Sequence, residues 1–209
     1  MKIRIEALSR TSARIGVILP PAAPQLVAQQ QLQLELTPQL RSNWCWAAVA
    51  CAVAAHYGDR SWDQCKLAWR ILGDGHLPGP APQVLLQAAQ YDAKAELAYV
   101  LRYLNCLYGV SCGRPPFRRL MREIDAGRPL CVGIAWDGGG LHYVLLDGYC
   151  RNTRQIRILD PQHGASTLQF EDFPLRYRRG GEWAQTCWTQ NPYLHLPPPK
   201  PGELQDEQL

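Results

Sequence analysis

The chain has 209 residues, 46% of them hydrophobic and 19% charged, and carries a net charge of +4. That balance is too apolar for a disordered chain, and the length suits one domain with two subregions that buries its own core. No apolar run approaches the ~20 residues of a membrane-spanning helix, and no aromatic-interleaved basic groove, zinc finger or phosphate loop points to nucleic acid.

In chain order, residues 1 to 36 stand apart from the rest. Lys2 to Glu6 alternates polar and apolar as a strand would, and Pro20-Pro21-Ala22-Ala23-Pro24 follows. Ile15 to Leu19 is too short for a secretory signal and is broken by the prolines. Gln29-Gln30-Gln31 comes next, then Leu32, Leu34 and Leu36 alternate, which suggests a strand leading into the next segment. A loose terminus plus one added strand is the preferred reading of this extension, over a pro-segment, a recognition arm or an inhibitory strap.

Residues 37 to 196 read as the folded domain. A first helix is predicted from Cys45 to about His56, stopping at Gly58. Ser61-Trp62-Asp63-Gln64 resembles a capping box that opens a second helix to Leu72, ended by Gly73. Pro82 begins a third, with Val84, Leu85, Ala88 and Ala89 on one face. Ala93 to Leu104 is ambiguous between helix and strand. Phe117, Leu120, Met121 and Ile124 recur at helical spacing, and Gly127 and Pro129 close that helix. Arg118, Arg119 and Arg122 fall on its polar face and read as solvated; Arg176, Arg178 and Arg179 form a second basic group. Strands are then expected at Leu130–Trp136, His142–Tyr149, Gln155–Leu159, Ser166–Phe170 and Trp183–Thr189. Helices first and a mostly antiparallel sheet afterwards indicate an α+β fold, with a cleft between the two parts. Residues 197–209, opening Pro197-Pro198-Pro199, read as a tail.

The eight cysteines are Cys45, Cys51, Cys65, Cys106, Cys112, Cys131, Cys150 and Cys187. Cys51, Cys131 and Cys150 lie within apolar runs, as core residues do. Cys106 and Cys112 flank what reads as a loop, so they are the candidates for a bridge. There is no Cys-x-x-Cys pair and no His/Cys spacing typical of zinc, and a site built from Cys51, His56 and Cys65 is disfavoured. No metal and no cofactor are expected. A reducing cytoplasm is the expected place of synthesis, with signal-less secretion into a target cell as the alternative route onward.

Cys45 differs from the other thiols in its setting. It sits where a loop turns into an apolar helix, facing unpaired backbone N–H groups and the positive end of the helix dipole, which favour a thiolate. A thiolate is the reactive nucleophile. The base it needs is read as His142, which follows Asp137-Gly138-Gly139-Gly140 and opens what reads as a buried strand. The turn Arg151-Asn152-Thr153-Arg154 joins that strand to the next, which ends at Asp160-Pro161. Antiparallel pairing puts Asp160 beside His142, where a carboxylate fixes the imidazole's tautomer and stabilises its cation. Singly, each residue has a duller reading: a buried thiol, a structural histidine, a turn aspartate. The order and the element boundaries together favour catalysis.

The pattern resembles the papain-like cysteine peptidases, most closely the compact bacterial branch of bacteriocin-leader peptidases and plant-pathogen cysteine-protease effectors. The matching pieces are Gln39 with Cys45 six residues on, Trp44-Cys45-Trp46-Ala47-Ala48, the His142 strand ending in Gly148-Tyr149, and Asp160-Pro161. The resemblance implies that the Gln39 amide and the Cys45 backbone N–H form an oxyanion hole, and that the substrate is a peptide or protein, with a cognate inhibitor or immunity protein as a further partner. The chain departs from papain in lacking the Cys-Gly-Ser-Cys-Trp signature, in having Asp160 rather than asparagine, and in its shorter Cys-to-His interval. Two other function classes fit the same residues. One is another thiol acyl-transfer enzyme: an amidase, deamidase, transglutaminase or peptide ligase. The other is a peptide-binding module that has kept the scaffold. Trp62, Trp69 and Trp136 are candidates to line the cleft or to pack the core.

Overall fold

A computed structural model describes residues 28–73 and 91–194. The strand expected at Lys2–Glu6, the helix expected from Pro82 and the proline-rich tail lie outside the described residues. Strand β1 (Gln29–Gln31) comes first, followed by helices α1 (Cys45–His56), α2 (Gln64–Leu72) and α3 (Leu97–Tyr103). Strand β2 (Leu107–Cys112) and helix α4 (Phe117–Asp125) lead into β3 (Leu130–Trp136), β4 (Leu141–Cys150), β5 (Gln155–Asp160), β6 (Gly164–Gln169) and β7 (Gly181–Thr189).

The strands form one sheet in the order β2-β7-β3-β4-β5-β6, with β1 added beside β4, and every strand pairing among the described residues is antiparallel. β3 pairs with β4 only as far as Leu130↔Leu146, and β1 takes over at Gln31↔Gly148. A Cβ at Gly148 would stand 2.9 Å from the Gln30 carbonyl oxygen, so glycine permits that close approach.

Alternation along the strands gives the sheet two buried faces. On one, Cys131, Tyr143, Leu145 and Leu159 pack with α1, α2 and α3. On the other, Leu130, Val132, Val144, Leu146 and Ile158 pack with α4, Leu32, Phe173 and Tyr177. α1 is rich in small residues and buried over Cys45–Ala54, so it serves as the inner helix on its side. The fold is α+β, as expected.

Several expectations need adjusting. The strand read at Leu32, Leu34 and Leu36 forms instead at the preceding glutamines. Those leucines keep the inward alternation, but the chain there has left the ladder. α2 is capped by Asp63, whose side chain accepts from the Lys66 N–H, and not by Ser61, whose hydroxyl donates to Asp59. The ambiguous segment resolves as α3. Arg119 is not solvated: it pairs with the buried Glu123 at 3.1 Å and lies over the Trp188 ring.

Cys106 and Cys112 do not flank a loop. They bracket β2, Cys106 buried and Cys112 exposed, and both thiols are free. Six residues of strand span ~20 Å, against the ~7 Å beyond which two Cα atoms cannot be bridged.

Candidate active site

The wall of the site on the helical side begins with a stretch that has little regular structure. Between Leu32 and Trp44 the backbone is held mainly by single contacts. The Gln39 N–H donates to the Pro161 carbonyl at 2.8 Å, tying the loop to the end of β5. Gln64, the first residue of α2, accepts from the Leu40 N–H at 3.0 Å and donates to the Pro38 carbonyl at 2.9 Å and the Thr37 hydroxyl at 3.2 Å. Asp92 accepts from the Ser42 hydroxyl at 2.7 Å and the Asn43 N–H at 2.8 Å. The indoles of Trp44 and Trp46 donate to the carbonyls of Tyr91 and Ala93 at 2.7 and 3.1 Å. α1 then starts at Cys45 with no side-chain cap on its first turn. The thiol therefore sits at an uncapped helix N-terminus, 7% exposed.

The opposite wall is made by the sheet. Gly138, Gly139 and Gly140 all have φ near +90°, a backbone that side chains other than glycine rarely adopt, and this tight return from β3 sets His142 at the start of β4. His142 is buried, and its Nε2 lies 2.9 Å from Asp160 Oδ1 at the end of β5. The Cys45 side chain is near enough to the ring to raise its proton affinity, and with Nε2 engaged by Asp160 the nitrogen left for the sulfur is Nδ1. The three side chains expected to converge therefore do so across the two walls.

Asp160 is held by more than the histidine. Its Oδ1 accepts from the backbone N–H groups of Gln162 and His163 at 2.7 and 3.1 Å, and its Oδ2 accepts from the Tyr177 hydroxyl at 2.9 Å. Burial opposes the carboxylate, but the His142 bond and charge, with the Gln162 and Tyr177 donors, outweigh it and hold the group below its ordinary range. For His142, burial alone would favour the neutral ring. The hydrogen bonds and charges of Asp160 and Cys45 overcome it and push the imidazole up to about 9. Trp136 stacks on His142 at 5.6 Å, Tyr177 stacks on Trp136 at 6.3 Å, and the Arg179 guanidinium caps the indole at 5.2 Å. Aromatic surface thus shields the imidazole from water.

The model of the family described as papain-like cysteine protease AvrRpt2 matches residues 26–178, more than half of the chain. The chain belongs to this family. No curated protein sequence matches the protease. Among solved structures it is similar to a double glycine motif protease from an AMS/PCAT transporter, solved in complex with the leader peptide. The identity is 17% and the TM-score 0.43, over 77% of this chain and 94% of that one.

Gln39 is placed differently from what the resemblance implies. The amide of this protease is turned onto its own loop: Nε2 donates to the carbonyls of Arg41 and Ser42 at 2.8 and 2.9 Å, and Oε1 is buried without a hydrogen-bond partner. Both amide hydrogens are committed, so a substrate oxygen would have to displace one of those bonds.

The other thiols of the protease are set apart by their surroundings. Burial pushes Cys51, Cys106 and Cys187 up to about 12 and Cys131 well above its usual range, so they remain thiols at neutral pH. Cys150 goes the other way, lowered by hydrogen bonds from Thr153. Among the described residues no group of His, Cys, Asp or Glu could hold a metal ion, and no helix is long and apolar enough to cross a membrane.

Sequence reasoning missed Tyr177 and Asp92 and saw Gln64 only as part of a cap. Each is a single polar residue whose partner lies far along the chain, and neither periodicity nor spacing marks such a residue. Trp136 was legible only as one of three candidate tryptophans.

Proposed function

We propose that the protein hydrolyses peptide bonds of a protein or precursor peptide by acyl transfer through Cys45. His142 holds the proton shared with the thiol, and the resulting thiolate attacks the carbonyl carbon. The negative charge that develops on the carbonyl oxygen is met by the Cys45 N–H and by the Gln39 amide once it exchanges a loop carbonyl for that oxygen. The His142 imidazolium gives its proton to the departing amine, leaving a thioester. Water, deprotonated by the now neutral His142, attacks the thioester, and the proton returns to the thiol-imidazole pair as the acid product leaves. Asp160 keeps Nε2 protonated and Nδ1 turned toward sulfur throughout.

The observation that carries this reading is the placement of His142, buried with Asp160 at 2.9 Å on Nε2 and close enough to the Cys45 thiol at the start of α1 for that group to help raise its proton affinity. Uncapped N–H groups at the start of α1 support it from the helical side.

The test is mass spectrometry of casein incubated with wild type and with Cys45→Ala, together with the intact masses of both chains. New peptide termini from wild type, absent with Cys45→Ala, are expected; a shortened wild-type chain would add self-processing. Amide-to-acid conversion or isopeptide cross-links without chain cleavage would overturn hydrolysis in favour of a deamidase or transglutaminase. Full cleavage by Cys45→Ala would remove the nucleophile assignment.

A further inference from the structure

The segment that carries Gln39 has no ladder to fix it, yet the backbone around that residue is unusually well anchored. Two peptide planes meet at the Gln39 Cα. In the first, the Pro38 carbonyl accepts from Gln64 at 2.9 Å and the Gln39 N–H donates to Pro161 at 2.8 Å. In the second, the Leu40 N–H donates to Gln64 at 3.0 Å. One side chain therefore grips both planes, one on each side of Gln39, and spends its remaining amide hydrogen on Thr37 at 3.2 Å.

Gln64 is itself held firmly. It is 4% exposed and opens α2, which is fixed at that end by the Asp63 cap and packed through Leu67 and Ala68. Leu40 is 57% exposed, so no burial of its own side chain holds the loop there. A primary amide suits this role, because it offers one acceptor and two donors on a short planar group.

We propose that Gln64 is a positioning residue that sets the Gln39 amide at the oxyanion side of the Cys45 site. This rests on the peptidase reading above. Gln64 touches no reacting atom; it acts through the loop. Oxyanion donors contribute only when they stand within about half an ångström of the place where charge develops, and a misplacement of ~1 Å can cost ~10²-fold.

The test is a cycle between Gln64→Leu and Gln39→Ala, read as kcat and KM on fluorescein-labelled casein and as the acylation burst with p-nitrophenyl acetate. In the wild-type background Gln64→Leu is expected to lower kcat by roughly 10- to 100-fold, with KM moving much less. In the Gln39→Ala background the same substitution should change little, because the group it positions is gone. Alkylation of Cys45 by iodoacetamide, read by peptide mapping so that Cys150 is counted separately, needs the thiolate but no oxyanion donor, so it should stay at the wild-type rate. Gln64→Glu keeps the acceptor for Leu40 and loses both donors; it should fall between wild type and Gln64→Leu, and it serves if the leucine variant does not fold. Equal losses in both backgrounds, or undiminished kcat in Gln64→Leu, overturn the proposal while leaving the peptidase reading intact. A wild type silent toward both substrates overturns the peptidase reading first.

Discussion

The two walls of the site are built on different principles. His142 and Asp160 sit on neighbouring strands, β4 and β5, whose antiparallel ladder runs from Cys150↔Gln155 to Leu145↔Leu159 with one register shift, while β3 pairs His142 and β6 pairs Asp160 from the outer sides. Asp160 gathers donors from His142, Gln162, His163 and Tyr177, so no single bond carries its placement. Opposite them, Cys45 follows a stretch with few backbone hydrogen bonds, positioned instead by side chains reaching in from elsewhere: Gln64, Asp92 and the two indoles. A ladder spreads a perturbation over many bonds, whereas a loop held by individual side chains passes it on directly. Remote substitutions should therefore disturb the thiol side far more readily than the imidazole side, and only removal of a charge should disable the sheet wall.

The largest effect that would break this comparison from the sheet side is at Asp160. Asp160→Ala removes the group that keeps Nε2 protonated, and activity should fall by roughly 10³- to 10⁴-fold. Asp160→Asn sharpens the point. Its oxygen can keep the bonds from His142, Gln162 and His163, while its amide can donate to the Tyr177 hydroxyl. Orientation then survives and charge does not. The His142 value of about 9 depends partly on that charge, so the alkaline limb of the pH–rate profile should move down from about 9 in Asp160→Asn while the neutral rate suffers less than in Asp160→Ala. An unmoved alkaline limb would show that the carboxylate charge does not set the imidazole.

The same shift bears on stability. The folded-state value of His142 lies above its ordinary one, so the stabilisation it reports is complete below about 6.5 and is lost as pH rises through about 9. Asp160 is displaced downward, so its share is present above the ordinary carboxylate range and is lost as pH falls below it. These are two views of one ion pair and are not to be added.

That contrast also explains what the sequence could and could not reveal. β3, β4, β5 and β7 were legible because apolar residues alternate between turn signals, and α1 and α4 because apolar residues end at glycine. The pairing that brings Asp160 to His142 needed only a hairpin and its turn. The two-faced packing of the sheet was not legible, since α4 follows β2 and its partner face is set by topology. The Cys106–Cys112 reading failed because a strand of mixed polarity, Leu-Tyr-Gly-Val-Ser-Cys, carries no clean period at a sheet edge. Within the site, Cys45, His142 and Asp160 stand at element boundaries and could be found there. Gln64, Asp92 and Tyr177 act through contacts 17 to 50 residues away in sequence, and no local pattern encodes those.

On the helical side the next effect in size is that of Gln39→Ala. On the mechanism proposed above this removes one oxyanion donor, and turnover should slow by roughly 10²- to 10³-fold with the fold intact. Its amide is also bonded to the Arg41 and Ser42 carbonyls, so the loop loses two local ties in the same variant. Steady-state rates on labelled casein, with thermal unfolding alongside, separate the two consequences. A lowered midpoint with an unchanged rate would make Gln39 a loop staple and nothing more.

The smallest effect concerns Tyr177 and tests the redundancy of the sheet wall. Tyr177→Phe deletes one donor to Asp160 Oδ2 and leaves the ring stacked near Trp136. Oδ1 keeps its bonds from His142, Gln162 and His163, so the catalytic rate should change by no more than a small factor. The buried carboxylate oxygen, now unpaired, should lower stability by about 1–3 kcal/mol, seen as a midpoint several degrees lower. Because Tyr177 helps hold Asp160 below its ordinary range, the difference between wild type and variant should narrow as pH falls through that range and the carboxylate is protonated in both. A rate loss comparable with that of Asp160→Ala would mean that one hydroxyl, and not the shared set of donors, aims the imidazole, and the two walls would then be equally fragile.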